Sequence, residues 1–233
     1  MDLKRSDRNL RIDSQMIITL DGPAGAGKSS VARELAQRLG YRFLDTGAMY
    51  RAVALAAQRR GLGWEDSHAL AELASDVSIE LRGDRVYLDG DDVTNEIRAN
   101  HVTSVVHYVA DNPEVRAELV RLQRRVAEGK NIVCEGRDQG TVAFPDAECK
   151  IFLTATPEER ARRRLSQLQA QGENVEYHEL LQQQNDRDLR DRSRPVGRLS
   201  KASDALELVS DGLSREQVID RLEQLVRQRM ERP

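Results

Sequence analysis

Short apolar runs alternating with amphipathic segments predict an α/β fold, a five-stranded parallel sheet with helices on both faces. Three observations lead there. Met16-Ile17-Ile18-Thr19-Leu20 reads as a buried strand, a glycine-rich turn follows it, and Ser30 to Leu39 repeats apolar residues at helical spacing until Gly40 stops it. The same alternation then recurs along the chain.

Tyr41 to Asp45 reads as the second strand, and Gly47 to Gln58 as a helix stopped near Gly61. Asn112-Pro113 opens a helix that runs from Glu114 to Ala127, because asparagine caps and proline fits the first turn. Strands follow at Asn131 to Glu135, Cys149 to Leu153 and Ala205 to Val209. Thr156-Pro157-Glu158-Glu159 and Ser214 with Gln217 each carry helix-start chemistry. Two segments break the pattern. Val77 to Leu81 and Arg85 to Gly90 flank a Gly83-Asp84 turn and predict a β-hairpin, with a short helix around Val93 to Arg98; residues 75–107 read as an inserted module. Residues 162–198 form a polar helical stretch with too little apolar surface to be core. The remaining 15–74, 108–161 and 199–233 make up the core domain, and 1–14 a frayed extension.

The turn after the first strand is Gly22-Pro23-Ala24-Gly25-Ala26-Gly27-Lys28-Ser29, a complete G-x-x-x-x-G-K-[ST] phosphate loop. Its glycines let successive N–H groups point at an anion, joined by the positive end of the helix behind. Lys28 adds a charge for the outer phosphates, and the Ser29 hydroxyl is placed to ligate Mg2+. A turn alone would not need lysine and serine there. The chain is therefore expected to take a P-loop NTPase fold and to bind a nucleoside triphosphate.

Composition excludes several other classes. With 233 residues and a formal net charge of −3, the chain does not resemble a general nucleic-acid coat protein. No apolar run approaches the length of a membrane span, and Met1 to Asn9 mixes charges of both signs without a secretory apolar stretch. Cys134 and Cys149 each sit in an apolar strand and read as reduced core residues, which points to the cytoplasm. His68, His101, His107 and His178 are scattered without metal-ligand spacing.

Arg187-Asp188-Leu189-Arg190-Asp191-Arg192-Ser193-Arg194 concentrates guanidinium groups on a segment with no hydrophobic reason to dock. Alone it would read as a solvated helix laced with pairs such as Arg187 with Asp191. Beside a phosphate loop it reads as a closing lid, since moving a phosphoryl group between two anions requires neutralising both and excluding water. Asp45-Thr46-Gly47-Ala48-Met49-Tyr50-Arg51 ends the second strand at the same mouth, with Arg51 one turn into the next helix. Glu135-Gly136-Arg137-Asp138-Gln139-Gly140-Thr141 ends another strand in the same way.

Taken together, GPAGAGKSS, LDTGAMYR, EGRDQGT with VAFPDAECKIFLTA, and DLRDRSR resemble the bacterial cytidylate kinases, nucleoside monophosphate kinases, from about Met16 onward. The resemblance implies transfer of the γ-phosphoryl of ATP, with Mg2+, to CMP or dCMP. It implies that Gly22, Pro23, Ala24, Gly25, Ala26, Gly27, Lys28, Ser29 and Ser30 hold ATP. Arg51, Arg137 and Arg194 would bind the acceptor phosphate, with Thr46 beside them. Arg187 and Asp191 would contact its sugar, and Arg116 and Asp138 the cytosine. Lys28, Arg137 and Arg194 would then be the catalytic charges. The hairpin module corresponds to the family's NMP-binding domain and the arginine-dense segment to its lid. His107 stands where the family often has a serine near the base, and is a candidate donor to the cytosine carbonyl. Arg198 replaces a proline, and Val209-Ser210-Asp211 replaces an Asp-Ser/Thr-Thr segment. A monomer is expected. The competing readings are a kinase for UMP or another small acceptor, and an ATP-binding regulatory protein that holds RNA.

Overall fold

The computed structural model describes residues 15–231 apart from 171, so the expected frayed extension lies outside the described residues. Strand β1 (Ile17–Asp21) runs into the phosphate loop and helix α1 (Lys28–Leu39). Then come β2 (Arg42–Asp45), α2 (Thr46–Arg59) and α3 (Ser67–Asp76). A small antiparallel sheet follows, β3 (Ile79–Arg82), β4 (Arg85–Leu88) and β5 (Asp91–Asp92), and after it the short helices α4 (Asn100–Thr103) and α5 (Val106–Asp111). Helix α6 (Pro113–Ala127) leads to β6 (Ile132–Gly136) and β7 (Cys149–Thr154). The chain ends through α7 (Pro157–Ala170), α8 (Tyr177–Ser193), β8 (Leu206–Val209) and α9 (Arg215–Met230).

The main sheet has five parallel strands in the order β2-β6-β1-β7-β8. Alternation along each strand feeds two cores. Ile18 and Leu20 of β1 and Val133 of β6 face α1 and α9, while Ile132 and Cys134 face α2, α3 and α6. Both cysteines are buried and free, as the strand reading expected. Because ladder partners fix the level at which strands end, Asp45 lies beside Glu135 and Asp21 beside Gly136 at the carboxyl-terminal edge. That edge is where an open α/β sheet binds ligands.

Several local expectations need correction. The turn near Val93 closes only a three-residue 3-10 helix, Glu96–Arg98, and α3 was not foreseen. The polar stretch is a pair of helices, α7 and α8, with a small core of its own around Ala161, Leu168 and Leu180. Arg187 does not pair with Asp191; that carboxylate is taken by Arg137 and Arg194.

Candidate active site

The phosphate loop takes its shape from close packing. Gly22 leaves β1 at φ 150°, and a Cβ there would lie 1.9 Å from the Leu153 carbonyl oxygen of β7, so only glycine fits. Helix α1 begins at Lys28 behind Gly27, with no side chain capping it and no acidic residue in its first turn. Its leading N–H groups and dipole are left for an anion. The Lys28 ammonium is buried and donates to the Pro23 carbonyl at 2.7 Å. Burial, then the Arg137 charge, pushes its pKa down to about 7, against the pull of Glu135. An anion set there would restore the proton.

Asp21 and Asp45, the carboxylates that end β1 and β2, are both committed to partners within the protein. The buried Asp21 carboxylate accepts the N–H groups of Gln139 at 2.8 Å and Gly140 at 2.7 Å. Those bonds hold the π-helical turn Gln139–Ala143 and thereby aim Arg137 and Asp138 just ahead of it. Burial raises the Asp21 pKa to about 6, opposed by the same two N–H donors. Asp45 caps α2 by accepting from the Ala48 N–H at 2.8 Å, and it also pairs with Arg51 at 3.2 Å and Arg98 at 3.3 Å. Glu135 is buried beside Lys28 and Ser29, and burial raises its pKa. Thr46 donates to the Glu135 carbonyl at 2.6 Å, fastening the start of α2 to β6.

Above the strand edge opens a cleft of about 610 Å3. One end is lined by Ala24, Gly25, Gly27, Lys28, Ser29 and Ser30, with Arg163, Arg164 and Gln167 of α7. The other end is lined by Thr46, Tyr50, Arg51, Arg98, Arg116, Arg137, Asp138, Arg187, Asp191 and Arg194. Carboxylates hold most of these guanidinium groups. Arg137 donates to Asp191 at 2.8 Å, Arg194 meets Asp191 at 2.6 Å and also Asp111, and Arg116 pairs with Asp138 while donating to the Ala110 carbonyl at 3.0 Å. Both members of the Arg116–Asp138 pair are buried, and the guanidinium lies 5.3 Å from the Tyr50 ring centroid. Although burial alone would raise the Asp191 pKa, Arg137 and Arg194 hold it below the usual carboxylate range. Arg187 has no ion pair among the described residues.

Of the residues singled out in the sequence, those from Ala24 to Ser30 other than Ala26, together with Thr46, Arg51, Arg116, Arg137, Asp138, Arg187, Asp191 and Arg194, converge on this cleft. Gly22, Pro23 and Ala26 are buried in the loop beneath it. His107 does not reach the cleft. Its Nδ1 donates to the Ser104 carbonyl at 2.9 Å and its ring lies against Tyr108, while Val106 and Ala110 of the same helix face the opening. Arg98, Arg160, Arg163, Arg164 and Gln167 line the cleft without having been singled out. Arg98 stands in no recognisable pattern, and the α7 arginines sit in a run, Glu158 to Arg164, whose two acids followed by arginines read as a solvated helix face, with Gln167 one turn further on.

The family model described as cytidylate kinase matches residues 18–228. The chain belongs to the cytidylate kinase family. Relatives in that family include a cytidylate kinase of Rhodopirellula baltica, 54% identical over 91% of this chain and 93% of the relative, and one of Caldanaerobacter subterraneus, 46% identical over 90% and 94%. A cytidylate kinase of Pelotomaculum thermopropionicum is 53% identical over 81% of this chain and 85% of its own. Among solved structures, an uncharacterized protein from Eubacterium ventriosum shares the fold with a TM-score of 0.50 at 13% identity, covering 91% of this chain and 99% of that one. No helix among the described residues is long and apolar enough to cross a membrane.

Proposed function

We propose that this cytidylate kinase family member transfers the γ-phosphoryl group of ATP to CMP or dCMP, giving ADP and CDP or dCDP. The observation that carries this reading is a single cleft with an uncapped phosphate loop at one end and a ring of arginines around a buried Arg116–Asp138 pair at the other. The loop suits a triphosphate. The ring suits a second, smaller anion attached to a base.

No general base is required, because the acceptor is already an ionised phosphate. Catalysis then consists of in-line positioning and charge neutralisation in a water-poor cleft. Lys28, Arg137 and Arg194 supply the charge around the transferring group, with Arg51 on the acceptor phosphate and Arg187 with Asp191 at the sugar. Asp138 accepts from the exocyclic amine of cytosine and Arg116 donates to its ring acceptors, a pairing that a uracil carbonyl would reverse at the carboxylate. We assign His107 no contact with the base in this reading, because its side chain does not line the cleft.

Magnesium fits the donor end, where the hard oxygen of Ser29 stands by the Glu135 carboxylate and no cluster of three metal-ligating side chains occurs among the described residues. Such a site suits an ion held mainly by phosphates and water. When bound, the ion neutralises charge on the outer phosphates. Ser29 would hold it directly, and Glu135 would orient its shell.

Residues 75–107 and 162–198 are assigned the roles of acceptor-side module and lid, and the enzyme is taken to work as a cytoplasmic monomer. Steady-state assays with CMP, dCMP, UMP and AMP test the reading. CMP or dCMP should have the highest kcat/KM, and a marked preference for AMP or UMP would refute it.

A further inference from the structure

Arg160 is a buried side chain for which the reaction as described has no use. It lies near the start of α7, is 1% exposed, and spends its guanidinium on three separate segments. Nε donates to the Ala155 carbonyl at 3.0 Å. Nη1 donates to the carbonyl of Ala24, in the phosphate loop, at 2.8 Å, while Nη2 and Nη1 form a two-pronged pair with Asp188 of α8 at 2.6 and 3.2 Å. Gln184, one turn before Asp188, accepts from the same Nη1 at 3.3 Å. It also rests on the loop: a Cβ at Gly25 would lie 3.0 Å from its amide nitrogen and 3.3 Å from the Arg160 Cβ.

Burying such a pair costs several kcal/mol of desolvation, so it contributes position more than stability. What it positions is set by neighbours in α8. Arg187 precedes Asp188, Asp191 follows it by one turn, and both face the acceptor end of the cleft. We propose that Arg160 is a positioning residue that couples the donor loop to the acceptor-side helix, so that a triphosphate on the loop sets Arg187 and Asp191 for the acceptor. A planar, rigid guanidinium fork keeps Ala24 and Asp188 in fixed relation. Ordering the loop therefore orders α8, and the second ligand meets a smaller ordering cost. Coupling of this kind is reciprocal.

This inference rests on CMP as the acceptor, and its test separates the two. CMP affinity is measured by calorimetry with and without a non-hydrolysable ATP analogue and Mg2+, for the wild type, for Arg160→Lys, and for a double variant, Arg160→Met with Asp188→Leu. The double variant removes both charges at once, a replacement that usually keeps a protein folded. In the wild type the analogue should tighten CMP binding by about 5-fold or more. In both variants that factor should fall toward 1 while circular dichroism stays that of the folded protein. A coupling factor unchanged in both variants, or absent from the wild type, overturns the inference alone. A wild type that binds no CMP overturns the acceptor reading and this inference with it.

Discussion

The two ends of the cleft are built from different materials. At the donor end the chain itself makes the site: consecutive residues from Gly22 to Ser30, backbone N–H groups and the uncapped start of α1. At the acceptor end the site is made of side chains drawn from α2, α6, α8 and the turns after β6 and α8, held apart by Asp45, Asp111, Asp138 and Asp191. A backbone site accepts any triphosphate of the right shape. A side-chain site can distinguish one base from another, at the cost of holding many like charges close together.

If that contrast is right, the largest losses come from acceptor-side charges that act only in the transition state. Arg137→Ala should lower kcat by about 10^3-fold or more while leaving KM for ATP within a few fold, which steady-state kinetics will show. Lys28→Met should cost about 10^2- to 10^3-fold in kcat. Here too the loop's backbone should keep ATP bound. Asp138→Asn should raise KM for CMP about 10- to 100-fold, as expected for losing a hydrogen bond to a charged group, and should narrow the preference for CMP over UMP. Equal effects on both acceptors would remove Asp138 from base recognition.

The remaining tests bear on the donor end without substrate. Gly22→Ala should destabilise the fold by about 3 kcal/mol or more through its collision with β7, with a lowered thermal midpoint as the readout. The smallest effect is a pH slope. Folded Lys28 gives up its proton near pH 7, whereas the unfolded chain holds it until about 10.5, so the unfolded state binds more protons across that interval. Stability of the unliganded protein should therefore rise with pH there, and Lys28→Met should flatten the rise.

The same contrast explains how much could be read in the sequence. Strand β1, the loop and α1 are contiguous, so their apolar pattern and glycines announced them, and the five-stranded parallel sheet followed from the later apolar runs. The arginines of the segments after β2 and β6 were visible because each ends a strand. Arg98 and Arg160 were not, since only tertiary packing brings one to Asp45 and seals the other between the loop and α8. His107 misled for the complementary reason: position in a family pattern does not say which face of a short helix turns inward. The task of Asp21 was likewise hidden, because the two N–H groups that claim its carboxylate lie more than a hundred residues away.

Base selection by the Arg116–Asp138 pair is tested most directly by a crystal structure with CMP bound. The pair should open, with the Asp138 carboxylate within hydrogen-bonding distance of the exocyclic amine and the Arg116 guanidinium on the ring acceptors. CMP bound with that ion pair intact and the base held by other residues would contradict it.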